Sequence, residues 1–297
     1  MSVDHHTYPA TARDWWQAAR PHTWPNAFSP VIVGSGAAAY AGGFSWWRAL
    51  LALVVAWALI VGVNYANDYS DGIRGTDDDR SGPQRLTGSG LVPPHRVKLA
   101  AFICFGVAGV AGLVLALLTA WWLVLVGAAA IAGAWFYTGG KNPYGYRGLG
   151  EVAVFVFFGL VAVLGTEFSQ AGRISWMGVV GAVAIGSISA AVNLANNLRD
   201  IPSDTEAGKV TLAVRLGDSL TRKVWVALAS MPLLGSIALA FATPLALLGI
   251  VAAPLLFVAA QPVIRGAKGP DLIPVLGLTG RAMLMWAVVT AVVLGLN

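Results

Sequence analysis

Nine runs of mostly apolar residues, each near the length that crosses a bilayer, dominate this chain and leave little between them that could fold alone. A membrane-spanning helix takes about 20 such residues. The runs fall at 23–42, 47–68, 97–118, 121–138, 149–168, 175–197, 224–242, 245–263 and 273–295. Composition agrees, with 57% hydrophobic and 11% charged residues and a mean hydropathy of +0.70, where a soluble domain carries about 25% charge. The expected class is an all-α polytopic membrane protein, one transmembrane domain over 1–297. Residues 1–20 are polar with a Trp15–Trp16 pair. They lack the basic start and apolar stretch of a cleaved signal and read as an interfacial segment lying on the headgroups. The single Cys104 excludes an internal disulfide and a Cys-rich metal cluster.

The net charge of +5 would suggest nucleic acid in a soluble protein. Here the positive-inside bias explains it, and no nucleic-acid partner is expected. With the N-terminus in the cytoplasm, sixteen of the 19 Lys and Arg fall in inside segments. Arg48 and Arg173 fall outside, and Arg281 lies within the last run. The inside connections are the long ones, 69–96, 139–148 and 198–223. Long loops on one side suggest a capped site facing the cytoplasm, in a plasma or inner membrane.

Two of the runs end in matched polar faces. Asn64, Asn67, Asp68 and Asp71 are spaced i, i+3, i+4, i+7 and share one side of a helix. Asn193, Asn196, Asn197 and Asp200 repeat that spacing 129 residues later, followed by Asp204. Pro202 is expected to end or bend the second helix, with Asp204 in the loop beyond. Carboxylates and amides at a membrane surface are costly and mark a site. Carboxylates four apart suit a hard cation such as Mg²⁺, which takes one or two of them and fills its octahedron with phosphate oxygens and water. The bland alternative is that these acids simply pair with Arg74, Arg80 or Arg199.

Each face runs on into glycines and bases: Arg80, Gln84 and Arg85 after the first, Lys209 and Arg215 after the second. A diphosphate held through metal to carboxylates needs such countercharges on its remaining oxygens. Between the faces lies Trp135-Phe136-Tyr137-Thr-Gly-Gly-Lys141, with Tyr144, Tyr146 and Arg147 after it. Tyr137 reads either as part of an interfacial aromatic belt or as a shield for a carbocation. Lys141 and Arg147, the bases of that inside loop, are candidates for contact with an anionic head group or acceptor carboxylate.

In these motifs the chain resembles the UbiA superfamily of intramembrane prenyltransferases along nearly its whole length. Asn67-Asp68-Tyr-Ser-Asp71 matches the first family motif. The next acid comes at Asp77, where the ubiquinone-type pattern would place one at Gly75. That spacing, with Asn196-Asn197-Leu-Arg199-Asp200-Ile-Pro-Ser-Asp204 and Gly145-Tyr-Arg-Gly-Leu-Gly-Glu151, resembles the menaquinone branch. The resemblance implies nine helices around a central cavity with cytoplasmic cap loops. It also implies Mg²⁺ ions held by Asn67, Asp71 and Asp77 (or Asp78 or Asp79) on one side and by Asp200 and Asp204 on the other. Lys209 joins Asp71, Asp200 and Asp204 as a catalytic candidate. Asn64, Asp68, Tyr137, Lys141, Arg147, Asn196, Asn197 and Arg199 are candidate substrate contacts. The implied partners are a polyprenyl diphosphate, 1,4-dihydroxy-2-naphthoate and membrane lipid, and the implied product is demethylmenaquinone with release of CO₂ and diphosphate.

Two rivals remain at this level. One is a family member with another aromatic or lipid acceptor, which an acceptor panel separates. The other is a divalent-cation transporter with its repeats meeting at a midplane; the basic loops beyond both acidic faces would repel a passing cation.

Overall fold

The computed structural model describes residues 10–75 and 85–297, and among them every regular element is helical. In chain order these are α1 (Ala12–Ala18), α2 (Pro25–Tyr40), α3 (Trp46–Gly72), α4 (Pro94–Leu117), α5 (Leu123–Phe136) and α6 (Gly150–Val154). A π-helical segment, Phe155–Leu164, joins α6 to α7 (Gly165–Ala171). Then come α8 (Trp176–Arg199), α9 (Ile201–Glu206), α10 (Leu212–Leu239), α11 (Ala253–Ile264) and α12 (Ile273–Gly295). Short 3₁₀ stretches, Pro244–Ala252 and Gly269–Leu272, lead into the last two.

Seven of these helices, counting Gly150–Ala171, Pro244–Ile264 and Gly269–Gly295 as single runs, are long and apolar enough to cross a membrane. The other two expected spans are short. At 1.5 Å per residue, the 16 residues of α2 and 14 of α5 reach about 24 and 21 Å, less than the ~30 Å hydrocarbon core.

Three boundaries differ from the sequence reading. The run expected at 224–242 starts earlier, directly after Gly217, whose non-helical backbone (φ 72°, ψ 169°) kinks α10 and sets off a short helical stretch beginning at Leu212. Arg222 and Lys223 therefore lie on α10, not in a loop. Pro202 lies in the first turn of the next helix, where its missing N–H costs nothing. Asp200 caps α8, and Asp204 lies within α9, its N–H on the Asp200 carbonyl at 2.8 Å. The second polar face is thus carried by two helices in near-continuous register.

α8 is the axis of the bundle, packed against α10, the π segment, α12 and α2. Glycine permits the closest approaches: a Cβ on Gly159 would sit 2.6 Å from the Ala182 carbonyl and from Gly186 Cα of α8. α3 and α4 form a second tightly packed pair. Their cores are distinct, one around α8 and α10–α12, the other around Tyr65, Phe105 and the α1 end. Gly109, Gly112 and Gly127 are exceptions to glycine as packing aid, since they line the space enclosed between α3–α5 on one side and the α6–α8 region on the other.

Candidate active site

That space is a cavity of about 590 Å³ with two unlike ends. Leu59, Ile60, Leu113, Ile131, Phe157 and Val161 line the greasy part. The polar part holds Asn67, Asp71, Tyr137, Tyr146, Asn193, Asn196, Asn197, Asp204 and Lys209. The helices explain the division. α3 and α8 are apolar through most of their length and turn polar in their last two turns, so both polar faces reach the same end.

The two faces meet through Lys209. Its Nζ lies 3.7 Å from Asp71 Oδ1 and 4.6 Å above the Tyr146 ring. The Tyr146 hydroxyl donates to Asp71 Oδ1, and Arg74 stands 5.5 Å from the same ring. Asp71 and Lys209 are 4% and 8% exposed, so a carboxylate from the first motif and an ammonium from the second are paired largely out of water. The Tyr146 carbonyl accepts the Val210 N–H at 3.0 Å, which ties the loop after α5 to the segment bearing Lys209.

Around this centre each polar side chain is held by a neighbour. Asn67 Oδ1 accepts from the Thr138 hydroxyl at 2.8 Å. Asn64 Nδ2 donates to the Ala19 carbonyl and Thr23 Oγ1, both at 3.0 Å, and so anchors the N-terminal segment to α3. Tyr137 Oη donates to Asn193 Oδ1 at 3.3 Å. Asn193 and Asn197 both donate to Glu151 Oε1. Asp204 is buried and lines the cavity.

Five of the expected residues, Asp68, Asp200, Arg199, Lys141 and Arg147, do not line the cavity. Asp68 accepts the Leu86 and Thr87 N–H groups at 2.9 and 2.8 Å, one on each oxygen, and pins the returning loop. Asp200 is gripped by Arg199, Nε on Oδ1 at 2.6 Å and Nη2 on Oδ2 at 2.8 Å, and lies behind the cavity lining. Arg199 Nη2 also donates to Asn196 Oδ1 at 2.9 Å, so the pair braces an amide that does face the cavity. Lys141 and Arg147 are exposed and do not line the cavity. Asp77, Asp78 and Asp79, with Arg80 and Gln84, lie outside the described residues.

Residues given no role from sequence complete the site: Tyr146, Thr138, and Arg20 and His22 of the segment before α2 line it, and Glu151 lies behind Asn193 and Asn197. Glu151 carried a readable signal, an acid at the start of an apolar run, where it is costly unless used. His22 carried none. Burial, and after it the Arg20 and Arg199 charges, lower its pKa below the ordinary histidine value. The Tyr144 hydroxyl donates to the Gly133 carbonyl at 2.7 Å, and burial pushes its pKa up to about 12.

Among the described residues no three of His, Cys, Asp or Glu gather into a metal cage. The donor set still suits Mg²⁺, which binds through one or two carboxylates and completes its shell with water and phosphate. Asp71 and Asp204 are carboxylates lining the polar end, and the amides of Asn67, Asn193, Asn196 and Asn197 line it with them. The polar end can therefore hold a strongly anionic group against Lys209, while the apolar end takes a long hydrocarbon.

Comparison with known proteins identifies the family. Residues 27–288 match the model of the UbiA prenyltransferase family. The 1,4-dihydroxy-2-naphthoate octaprenyltransferase of Mycobacterium tuberculosis is 57% identical over 282 residues, covering 95% of this chain and 97% of that protein. The Escherichia coli enzyme of the same name is 40% identical over 216 residues, 70% of each chain. Among solved structures, an apo UbiA homologue from Aeropyrum pernix K1 superposes with a TM-score of 0.71 at 16% identity, covering 90% of this chain and 97% of that one. A homologue from Archaeoglobus fulgidus, bound to DMAPP and Mg²⁺, gives 0.65 at 15% identity, covering 94% and 99%. At such identities these structures speak for the fold alone. The family match over most of the chain, together with relatives covered almost end to end, establishes that this chain belongs to the UbiA prenyltransferase family.

Proposed function

We propose that the protein transfers a polyprenyl group from polyprenyl diphosphate to 1,4-dihydroxy-2-naphthoate, releasing diphosphate and CO₂ and forming the hydroquinone form of demethylmenaquinone. The observation that carries the reading is the Asp71–Lys209 pair, at 3.7 Å, where the two motif faces meet at the polar end of an apolar cavity. A prenyl diphosphate has the same two ends. Relatives sharing the name of that activity support the choice of acceptor.

Lys209 sits where it can exchange Asp71 for a diphosphate oxygen. A positive charge there is worth more as the C–O bond breaks and charge builds on the leaving group. Asn67, Asp71 and Asp204, with Asp77 or an adjacent acid, would hold Mg²⁺ on the diphosphate. Mg²⁺, bound there, neutralises charge on that group. Asp200 and Arg199 support the same cluster by fixing Asn196. Tyr137 and the apolar wall exclude water from the allylic cation. The ring carbon bearing the carboxylate attacks that cation and a C–C bond forms. The bond to the carboxylate then breaks, its electron pair returns to the ring, and CO₂ leaves.

The same reading gives nine spans, with α2 and α5 crossing as short helices. The site faces the cytoplasm, residues 10–20 lie on the membrane surface of that side, and the expected N-terminal position of residues 1–9 lies outside the described residues. The uneven placement of Lys and Arg supports this orientation. The test is to incubate purified protein in lipid nanodiscs with Mg²⁺, a polyprenyl diphosphate and the naphthoate, and to read the product by mass spectrometry. A decarboxylated, prenylated product is expected. Transfer to a different acceptor, with none to the naphthoate, would overturn the assignment.

A further inference from the structure

Glu151 is 4% exposed and has no part in the transfer described above. Its Oε1 accepts N–H from Asn193 at 3.2 Å and Asn197 at 2.6 Å, and among the described residues its Oε2 has no hydrogen-bond partner. Burying a carboxylate is costly, and this one commits two amides one turn apart on α8. An amide can present either its N–H groups or its oxygen to a ligand. With N–H of each directed to Glu151, both cavity-lining residues keep their oxygens for other donors. Asn193 Oδ1 takes the Tyr137 hydroxyl proton. Gly150 makes that approach possible, since a Cβ there would lie 3.1 Å from both Asn193 Nδ2 and Tyr137 Oη. Tyr137, its proton committed, then has only lone pairs left to offer.

We propose that Glu151 is a positioning residue that makes this wall an acceptor surface, Tyr137 Oη and Asn197 Oδ1, selecting an aromatic substrate with free hydroxyl groups. The inference rests on the proposed function for the identity of the acceptor. A hydroxyl donating to a fixed oxygen gains from that bond as its ring loses electrons to the allylic cation, so the interaction strengthens toward the transition state. The first half of the chain uses a related device. Asn64, the counterpart of Asn193, is anchored by Ala19 and Thr23. Glu151 follows His22 by the same 129 residues that separate Asn193 from Asn64 (151 − 22 and 193 − 64).

The experiment compares wild type, Glu151→Gln, Glu151→Leu and Gly150→Ala in nanodiscs, measuring KM and kcat separately for the naphthoate and for the prenyl diphosphate. A methyl ether of the acceptor hydroxyls is run alongside. Gln keeps the accepting oxygen and should stay within about threefold of wild type. Leu frees both amides and should raise the acceptor KM about tenfold, the worth of two ordinary hydrogen bonds, while the diphosphate KM holds. Gly150→Ala should move the acceptor KM in the same direction. Methylation should cost wild type about tenfold in kcat/KM and cost Glu151→Leu nothing further, because ligand and wall contribute to one interaction. Equal shifts in both KM values, or an undiminished methylation penalty in Glu151→Leu, would overturn the proposal. Should Glu151→Leu not fold, a methyl ether that serves wild type as well as the free hydroxyl does so instead. If wild type ignores the naphthoate but prenylates another hydroxylated aromatic, the functional assignment falls alone, and the same comparison with that acceptor decides the role of Glu151.

Discussion

Asp71→Asn keeps the size of the side chain and removes one charge from the meeting point of the two motifs. The structure separates two consequences. Lys209 Nζ lies 3.7 Å from the lost charge, with both side chains at most 10% exposed. At an effective dielectric near 20, that attraction is about 4 kcal/mol. Removing one partner strands a buried ammonium, whereas replacing both is often neutral. Asp71→Asn should therefore lower Tm, and Asp71→Asn with Lys209→Met should recover most of the loss. Activity should behave otherwise. Loss of one carboxylate that would hold Mg²⁺ against the departing diphosphate should cost about 3–4 kcal/mol, or 10²–10³ in rate, and the double variant regains none of it. Prenyl transfer at limiting Mg²⁺, beside a thermal melt of the same preparations, reads both. A double variant that recovered turnover together with Tm would show the pair to be architectural and would refute the catalytic reading of Asp71.

Asp204→Asn should fall by a similar factor. Combined with Asp71→Asn it should be little worse than the poorer single, since residues acting as one unit are non-additive; additive losses would separate them. Asp68→Asn has one accepting oxygen where Leu86 and Thr87 need two, so Tm should fall by an amount corresponding to about 1–3 kcal/mol. Lys141→Ala and Arg147→Ala should leave both KM values within about twofold, because both side chains are exposed and outside the cavity lining; a larger rise for either substrate would return them to the site. Burial lowers the pKa of His22, so the unfolded chain binds its proton first, and stability falls as pH drops through about 6.5 and below. His22→Asn should accordingly narrow the Tm difference between neutral and mildly acidic buffer, and an unchanged difference would discount the histidine. On a Cys104→Ser background, a cysteine at Ser203 should react only with reagent reaching the cytoplasmic face, and labelling from outside would sink the orientation.

Some of this was legible in the residue order because it depends on period and cost along the chain. A helix period of 3.6 puts Asn64, Asn67, Asp68 and Asp71 on one side wherever the helix goes, and the structure continues α3 through Gly72. A run of apolar residues has few fates in a bilayer, so the element order followed from hydropathy, although α2 and α5 came out shorter than a full crossing. The helix does end just before Pro202, as expected, but proline is harmless in a first turn, so a new helix starts at once and carries Asp204, which the sequence reading placed in a loop.

The partner of each polar group was decided by folding alone. Asp68 and Asp71 read alike as acids on one face, yet one holds backbone N–H groups of a returning loop and the other faces Lys209. Asp200 and Asp204 divide similarly, the first held by Arg199 and the second lining the cavity. Helical spacing says which side chains share a face, but whether a neighbour 18, 46 or 138 residues away satisfies them depends on how helices pack (Asp68 to Leu86, Glu151 to Asn197, Asp71 to Lys209). The sequence by itself thus determined that two amide-and-acid faces would end two of the apolar helices. Only the tertiary structure decided which of those groups remain for a ligand, because a buried polar atom is committed by its nearest partner rather than by its place in the chain.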